Sequence, residues 1–396
     1  MGRSAPSDPY LGPKAPAGRE GRWIKTVPGK NCRRWAKVGR IKANACVSRV
    51  EVGTATEAIK SLRKQKFDLM FLDWQLPDDP SDRGRRGVHL LNCPRQVRWK
   101  SLMETAHEHY RNHGPMTAPG ANGTMLEAMA GDIAAACVAI QGTLIHRDIA
   151  PWLYGVTLSD EARDLANVRP LAAMLSQIRA LSDRPLTEAR EPKQRMPAVC
   201  RHFATMLCGI LRAQGVPARA RCGFGAYFNP GKFEDHWVAE YWNAREKRWI
   251  LVDAQLDAVQ RQTFRPSFDP LDVPRDGFII AGDAWQQCRC GNADPNLFGL
   301  STINEHGLWW VAQNLVRDLA ALNRMEMLPW DVWGAMPKPT TEIADREITL
   351  LDRVSEITLA GDHALPELQQ IYQDDRLRVS EVVFNASRQT QEKIAF

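Results

Sequence analysis

AVCRHFATMLCGILRAQGVPARARCGFGAYFNPGKFEDHWVAEYWNAREKRWILVD, residues 198–253, is the stretch that decides the fold. Pro197 precedes its first helical residues, and Cys200, Phe203, Ala204, Leu207 and Leu211 recur on one helical face until Gly215 and Pro217 end the pattern. Cys200 therefore stands at a helix N-terminus. Three strand-like runs follow at 218–227 (ARARCGFGAY), 236–242 (HWVAEYW) and 247–253 (KRWILVD), separated by FNPGKFED and by a short NARE turn. One helix packing on an antiparallel sheet is an α+β arrangement.

That order carries chemistry. A thiol is a nucleophile as its thiolate, and a helix N-terminus with a nearby imidazolium lowers a cysteine pKa from about 8.5 to roughly 3.5–7.5. Cys200 has the first of these aids. His236 begins one expected strand and Asp253 ends the next, so antiparallel pairing across the short turn brings them together, and the carboxylate can then set the tautomer and direction of the imidazole. The residues Cys200, His236 and Asp253 form the candidate catalytic triad.

The blocks AVCRHFATMLCGILRAQGVPARARCGF, DHWVAEYWN and WILVDAQLD resemble those of the transglutaminase-like core, a papain-like cysteine-enzyme fold, and more closely those of bacterial transglutaminase-like domain proteins. The resemblance runs over about residues 105–335 and includes YRNHGPMTAPG, DPLDVPRDGFIIAGDAWQQCR and MEMLPWDVWG. It implies Cys200 as nucleophile, His236 as general base and acid, Asp253 as orienting carboxylate, and an acyl-thioester formed from an amide of a peptide or protein. Hydrolysis is favoured over transfer to an amine. The backbone N–H of Cys200 is one oxyanion donor; a second, from a residue upstream of the cysteine in the family, has no position assigned from sequence. Neither a cofactor nor a metal is required. The reading from a different class is a catalytically inactive transglutaminase-like scaffold in signalling or binding.

Working outward, Val168, Leu171, Met174, Leu175, Ile178 and Leu181 mark a helix over 168–181 that leads into the polar stretch TEAREPKQRMP. Several chemically suggestive residues have plainer readings. Cys208 and Cys222 suit small buried apolar positions, and His202 suits a packing or substrate-edge position. His107, His109 and His113 read as a surface cluster, since their spacing does not place all three on one helix face. Cys288 and Cys290 lack a second ligand pair and read as two free thiols in a loop. Gly223-Phe224-Gly225 reads as a kink in a strand. Trp309, Trp310, Trp330 and Trp333 read as core, and 347–396 as two amphipathic helices followed by a polar end, packed on the catalytic domain.

The N-terminal quarter is different in kind. Residues 1–50 carry twelve basic and two acidic side chains among scattered Pro and Gly, the composition of a disordered arm. Trp23 and Trp35 lie in it, but no nucleic-acid recognition motif accompanies them. Residues 51–102 contain ATEAIKSL, FDLMFLD and LPD, which resemble the middle of a response-regulator receiver, with Asp73 matching its phosphoacceptor. The acidic pair that would hold Mg²⁺ there is missing, so a truncated, unphosphorylated remnant is expected, and Met103 reads as an alternative start. The domain plan is then 1–50, 51–102, the catalytic domain 103–335 and a helical extension 336–396. The chain holds 396 residues, and its net charge of +6 conceals +13 in the first hundred and −7 in the rest. Charged residues at 25% and apolar residues at 44% describe a globular protein. The longest apolar run, 133–140, is far short of the roughly 18 residues of a membrane span. Nine scattered cysteines suggest reduced thiols and a cytoplasmic location.

Overall fold

The computed structural model describes residues 70–71, 89–90 and 95–394, leaving aside 128, 130 and 131. Contacts divide the chain at Cys93/Pro94. Of the first unit, an antiparallel pairing of Met70 with Leu90 and Phe71 with His89 is described. Asp73 and the basic arm lie outside the described residues. The second unit opens on helix α1 (Arg95–Arg111), which runs through Met103.

At the centre of this unit is a six-stranded sheet. Its spine pairs β3 (Ala218–Gly225) with β4 (Phe233–Asn243) over eight registered positions, from Ala218↔Tyr241 to Gly225↔Glu234. The C-terminal half of β4 also pairs with β5 (Arg248–Val252), while its first residues run parallel to β7 (Phe298–Leu300). Strand β6 (Phe278–Ile280) lies on the other side of β3, and β8 (Glu305–His306) closes the far edge. A parallel pair, β1 (Leu144–His146) and β2 (Met196–Ala198), stands apart and delivers the chain into α4 (Cys200–Ala213).

Strand alternation explains how α4 seats. Along β3, Ala218, Ala220 and Cys222 alternate with Arg219 and Arg221. The small residues, together with Ala239 and Trp237 of β4, join Phe203, Ala204, Leu207, Cys208 and Leu211 of α4 in one buried cluster with α2 (Ile133–Thr143) and α3 (Leu171–Leu181). Side chains no larger than Ala and Cys let a helix approach a sheet closely, so Cys208 and Cys222, both fully buried, act as packing residues. The arginines are buried too, each held by acids: Arg219 Nε lies 2.6 Å from Glu240, and Arg221 grips Asp318 with two bonds of 3.0 and 2.8 Å. A buried charge persists when it is paired and its hydrogen bonds are met.

Gly223-Phe224-Gly225 does not kink the strand, contrary to the sequence expectation. All three residues stay in register with both β4 and β6. A Cβ at Gly223 would fall 2.3 Å from the Ile279 carbonyl oxygen, so the glycine is there for close approach of backbone.

A second cluster forms from α6 (Ala281–Arg289), α7 (Leu308–Leu322), α8 (Asp345–Leu359) and α9 (Leu365–Ile371). The polar C-terminal stretch is a hairpin, not a loose end: β10 (Val382–Asn385) and β11 (Thr390–Lys393) extend β9 (Asp331–Val332) into a three-stranded sheet. Polar residues hid it, because both hairpin strands have one solvent face and ion pairs join the burial of Val383 and Ile394 in fastening it. Arg169, ahead of α3, holds Asp331 through two bonds of 2.8 and 2.6 Å and reaches Glu392 at 2.6 Å.

Candidate active site

Cys200 is the first residue of α4, and its helix is capped without a hydroxyl or carboxylate. Val199 is the N-cap, and its backbone N–H donates to His202 Nδ1 at 3.1 Å. His202 Nε2 in turn meets the Val168 carbonyl at 3.0 Å, so Nε2 bears the proton and Nδ1 accepts. Burial pushes the His202 pKa down to about 3 and keeps the ring neutral. His202 is thus a helix cap two residues from the thiol, a role that helix-face reasoning did not anticipate because the residue reaches back along its own turn.

His236 and Asp253 come together across β4 and β5. Val252 pairs with Ala239, which places Asp253 diagonal to His236 on the same side of the ladder. The His236 Nε2–Asp253 Oδ2 distance is 2.9 Å, and both residues are almost wholly buried. With Nε2–H donating to the carboxylate, Nδ1 is the nitrogen left to accept a proton. Asp253 has two further donors: the Tyr227 hydroxyl at 2.7 Å on the same oxygen, and the Gln255 N–H at 2.9 Å on the other. Although burial raises its pKa, His236, Tyr227 and Gln255 hold the Asp253 carboxyl below the usual range, so it stays ionised. Tyr227 was legible in the sequence only as the last residue of a strand run.

Aromatic rings enclose the imidazole. Phe228 lies 4.7 Å from it, Tyr227 6.0 Å and Phe278 6.3 Å, all edge-on. Cys200 approaches the same strand: the backbone N–H groups of Trp237, the residue after His236, and of Arg201 act on its thiol. Burial, followed by the Asp235 carboxylate, outweighs the lowering effect of these groups and pushes the Cys200 thiol well above its ordinary range. The lowering expected from a helix N-terminus is overridden, because Cys200 is only 6% exposed and has a negative neighbour that its own helix does not reveal.

Asp235 is that neighbour. It is held by the Trp310 indole N–H at 2.6 Å and the Asn314 amide at 3.0 Å, both from α7. Burial raises its pKa despite these donors and the nearby Arg317. Trp310, expected as core, is a half-buried hydrogen-bond donor here, while Trp309 and Trp333 are buried. His146, at the end of β1, is another residue that sequence analysis did not single out. It pairs with Ala198, its Nδ1 accepts the Asp148 N–H at 3.3 Å, and burial pushes its pKa down to about 4.

The HEHYRNH histidines are not a surface cluster. All three are half-buried. The His107 ring lies tilted against Trp242 at 4.4 Å and 3.5 Å from Asp362, whereas His109 reaches the Leu322 carbonyl at 3.2 Å. His107 and His109 tether α1 to separate partners. Among the described residues no group of three His, Cys, Asp or Glu side chains is placed to hold a metal ion. Cys288 and Cys290 sit at the end of α6, not in a free loop. No helix among the described residues is long and apolar enough to cross a membrane.

Residues 168–254 match the family model of the transglutaminase-like superfamily, a span that contains Cys200, His236 and Asp253. No curated protein matches the chain. Among solved structures, a protein of Cytophaga hutchinsonii assigned as a cysteine protease shares 18% identity over 47% of this chain and 44% of its own, with a TM-score of 0.20. The periplasmic domain of TgpA from Pseudomonas aeruginosa, bound to ethylmercury, shares 24% identity over 32% of this chain and 51% of its own, with a TM-score of 0.14. This chain therefore spans about half of each neighbour or less. The sheet and its flanking helices make an α+β fold, and residues 168–254 within it are similar to the transglutaminase-like superfamily.

Proposed function

We propose that this protein is a thiol enzyme that forms an acyl-thioester on Cys200 from a peptide or protein amide and releases it chiefly to water. The observation that carries the reading is the buried His236–Asp253 pair at 2.9 Å, in the same unit as a buried cysteine that opens a helix. Because burial and Asp235 raise the Cys200 pKa, attack and proton transfer are coupled. The Cys200 sulfur adds to the carbonyl carbon as its proton passes to His236 Nδ1, and Asp253 stabilises the imidazolium through Nε2. The N–H of Cys200, in the first helical turn and without an intrahelical acceptor, can donate to the oxyanion. The imidazolium then protonates the departing amine, and His236 activates the water that cleaves the thioester. A second amine in place of that water would make the reaction a transfer.

The experiment is a burst assay with p-nitrophenyl acetate, followed by peptide mass mapping. A burst of p-nitrophenolate with one acetyl group on the Cys200 peptide, absent in Cys200→Ser and His236→Ala, is the expected result. Acetylation spread equally over Cys288 and Cys290, with none on Cys200, would sink the proposal.

A further inference from the structure

The rings around His236 continue outward to the surface, and their course bears on what the enzyme accepts. Phe228 touches the imidazole edge-on at 4.7 Å, Phe264 lies 5.1 Å from Phe228, and Trp152 lies 6.2 Å from Phe264. The exposure of the series rises outward: Phe228 and Phe264 are half-buried, whereas Trp152 is 58% exposed. None of these three rings belongs to a core cluster among the described residues. Scattered apolar residues on a surface need no explanation, but an aromatic series that starts in solvent and ends on a buried imidazole is not scattered.

The strip is also rigidly tied to the triad. Trp152 lies in the helical turn Ala150–Leu153 and Phe264 ends α5 (Ala258–Phe264). Between them, the Tyr154 hydroxyl donates to Asp257 at 2.8 Å, and the Gln260 amide donates to Tyr154 at 2.9 Å. Gln260 further bonds Gln255, whose N–H holds the Asp253 carboxylate. A wall fixed to the orienting carboxylate keeps its distance from the reacting atoms, which positions a substrate side chain and so confers selectivity.

We infer that Trp152, Phe264 and Phe228 form the subsite for a large aromatic or apolar side chain next to the scissile carbonyl, so that amides flanked by such a residue are the preferred substrates. The inference rests on the acyl-enzyme reading above. Its occupant follows from the continuity of the strip with the imidazole: a group lying on these rings belongs to the molecule whose carbonyl is at Cys200.

The test compares acylation of the full chain by the p-nitrophenyl esters of N-acetylphenylalanine and N-acetylglycine, each rate normalised to thiolysis of that ester by free N-acetylcysteine. The wild type is expected to favour the phenylalanine ester by about tenfold or more, since contacts to one bulky side chain discriminate by roughly 10–200-fold. Trp152→Ala and Phe264→Ala should each reduce this ratio several-fold, and Trp152→Phe should largely restore it; Trp152 is exposed enough for its replacement to leave the fold intact. Equal normalised rates in the wild type overturn the subsite while leaving the thiol-enzyme reading standing. No acyl group on Cys200 from either ester overturns both. A changed sedimentation mass as the sole effect of Trp152→Ala would assign the strip to a second copy of the chain and overturn the subsite alone.

Discussion

Asp253→Asn isolates the least replaceable part of the proposed machinery. Asp253 accepts three hydrogen bonds, from His236 Nε2 at 2.9 Å and the Tyr227 hydroxyl at 2.7 Å on one oxygen, and from the Gln255 N–H at 2.9 Å on the other. Asparagine has one oxygen. If that oxygen keeps Gln255, the amide NH2 confronts two donors, and His236 must reverse its tautomer so that Nε2 accepts and Nδ1 carries the proton. Nδ1 can then no longer take the proton of Cys200. Loss of the charge-assisted bond alone, worth about 1.5–3 kcal/mol, slows acylation by roughly 10–150-fold. Tautomer reversal raises the loss toward about 10⁴, as in the serine-protease template. Stopped-flow release of p-nitrophenolate measures the rate, and thermal melting with circular dichroism verifies the fold. The stability effect has a definite sign. The folded-state pKa of Asp253 lies below its ordinary value; its contribution is therefore present above about pH 3.9 and is lost as pH falls through the folded pKa. The stability gap between wild type and variant should accordingly be full at pH 7 and shrink in strong acid. A folded variant that acylates within threefold of wild type would refute the tautomer argument.

Three further outcomes follow from the same geometry. Because burial and Asp235 raise the Cys200 pKa, iodoacetamide alkylation of Cys200, followed peptide by peptide, should still be rising above the ordinary thiol value of about 8.5; a plateau in mild acid that vanishes in His236→Ala would instead demonstrate a preformed thiolate–imidazolium pair. Asp235→Asn removes the negative neighbour and should move the alkylation midpoint to lower pH, so an unchanged or higher midpoint contradicts the assignment of Asp235 as the source of the shift. Gly223→Ala drives a methyl group to within 2.3 Å of the Ile279 carbonyl oxygen; it should cost about 1–3 kcal/mol as overpacking, measured by urea denaturation, and a wild-type midpoint would show that β6 gives way freely.

Much of the core was legible because its determinants are local. The spacing of Cys200, Phe203, Ala204, Leu207 and Leu211 marks a helix of the length observed, and the punctuation at Gly215 and Pro217 ends it within two residues of its last turn. The hairpin of β4 and β5 follows from two short apolar runs and the turn between them, although β4 begins at Phe233, three residues before His236. Where a residue's role depended on a partner remote in sequence, the reading fell short. His107 and His109 looked exposed because the groups that meet them, the Trp242 and Asp362 side chains and the Leu322 carbonyl, are more than a hundred residues away. The hairpin of β10 and β11 looked like a polar end because only Val383 and Ile394 of it join the second cluster, while Arg169, Asp331 and Glu392 add ion pairs from far along the chain.

By itself the sequence determined which elements form and the order in which a thiol, an imidazole and a carboxylate occur on them, because periodicity and turn residues act over a few positions. Tertiary structure decided what those groups experience. Tyr227 as a further donor to Asp253, His202 as a cap, Asp235 as a charge against the thiol and the ring series from Trp152 to His236 all depend on which surfaces meet when the sheet, α4, α5 and α7 pack. A pKa and a binding surface are sums over neighbours in space, and close packing assigns those neighbours without regard to their distance along the chain.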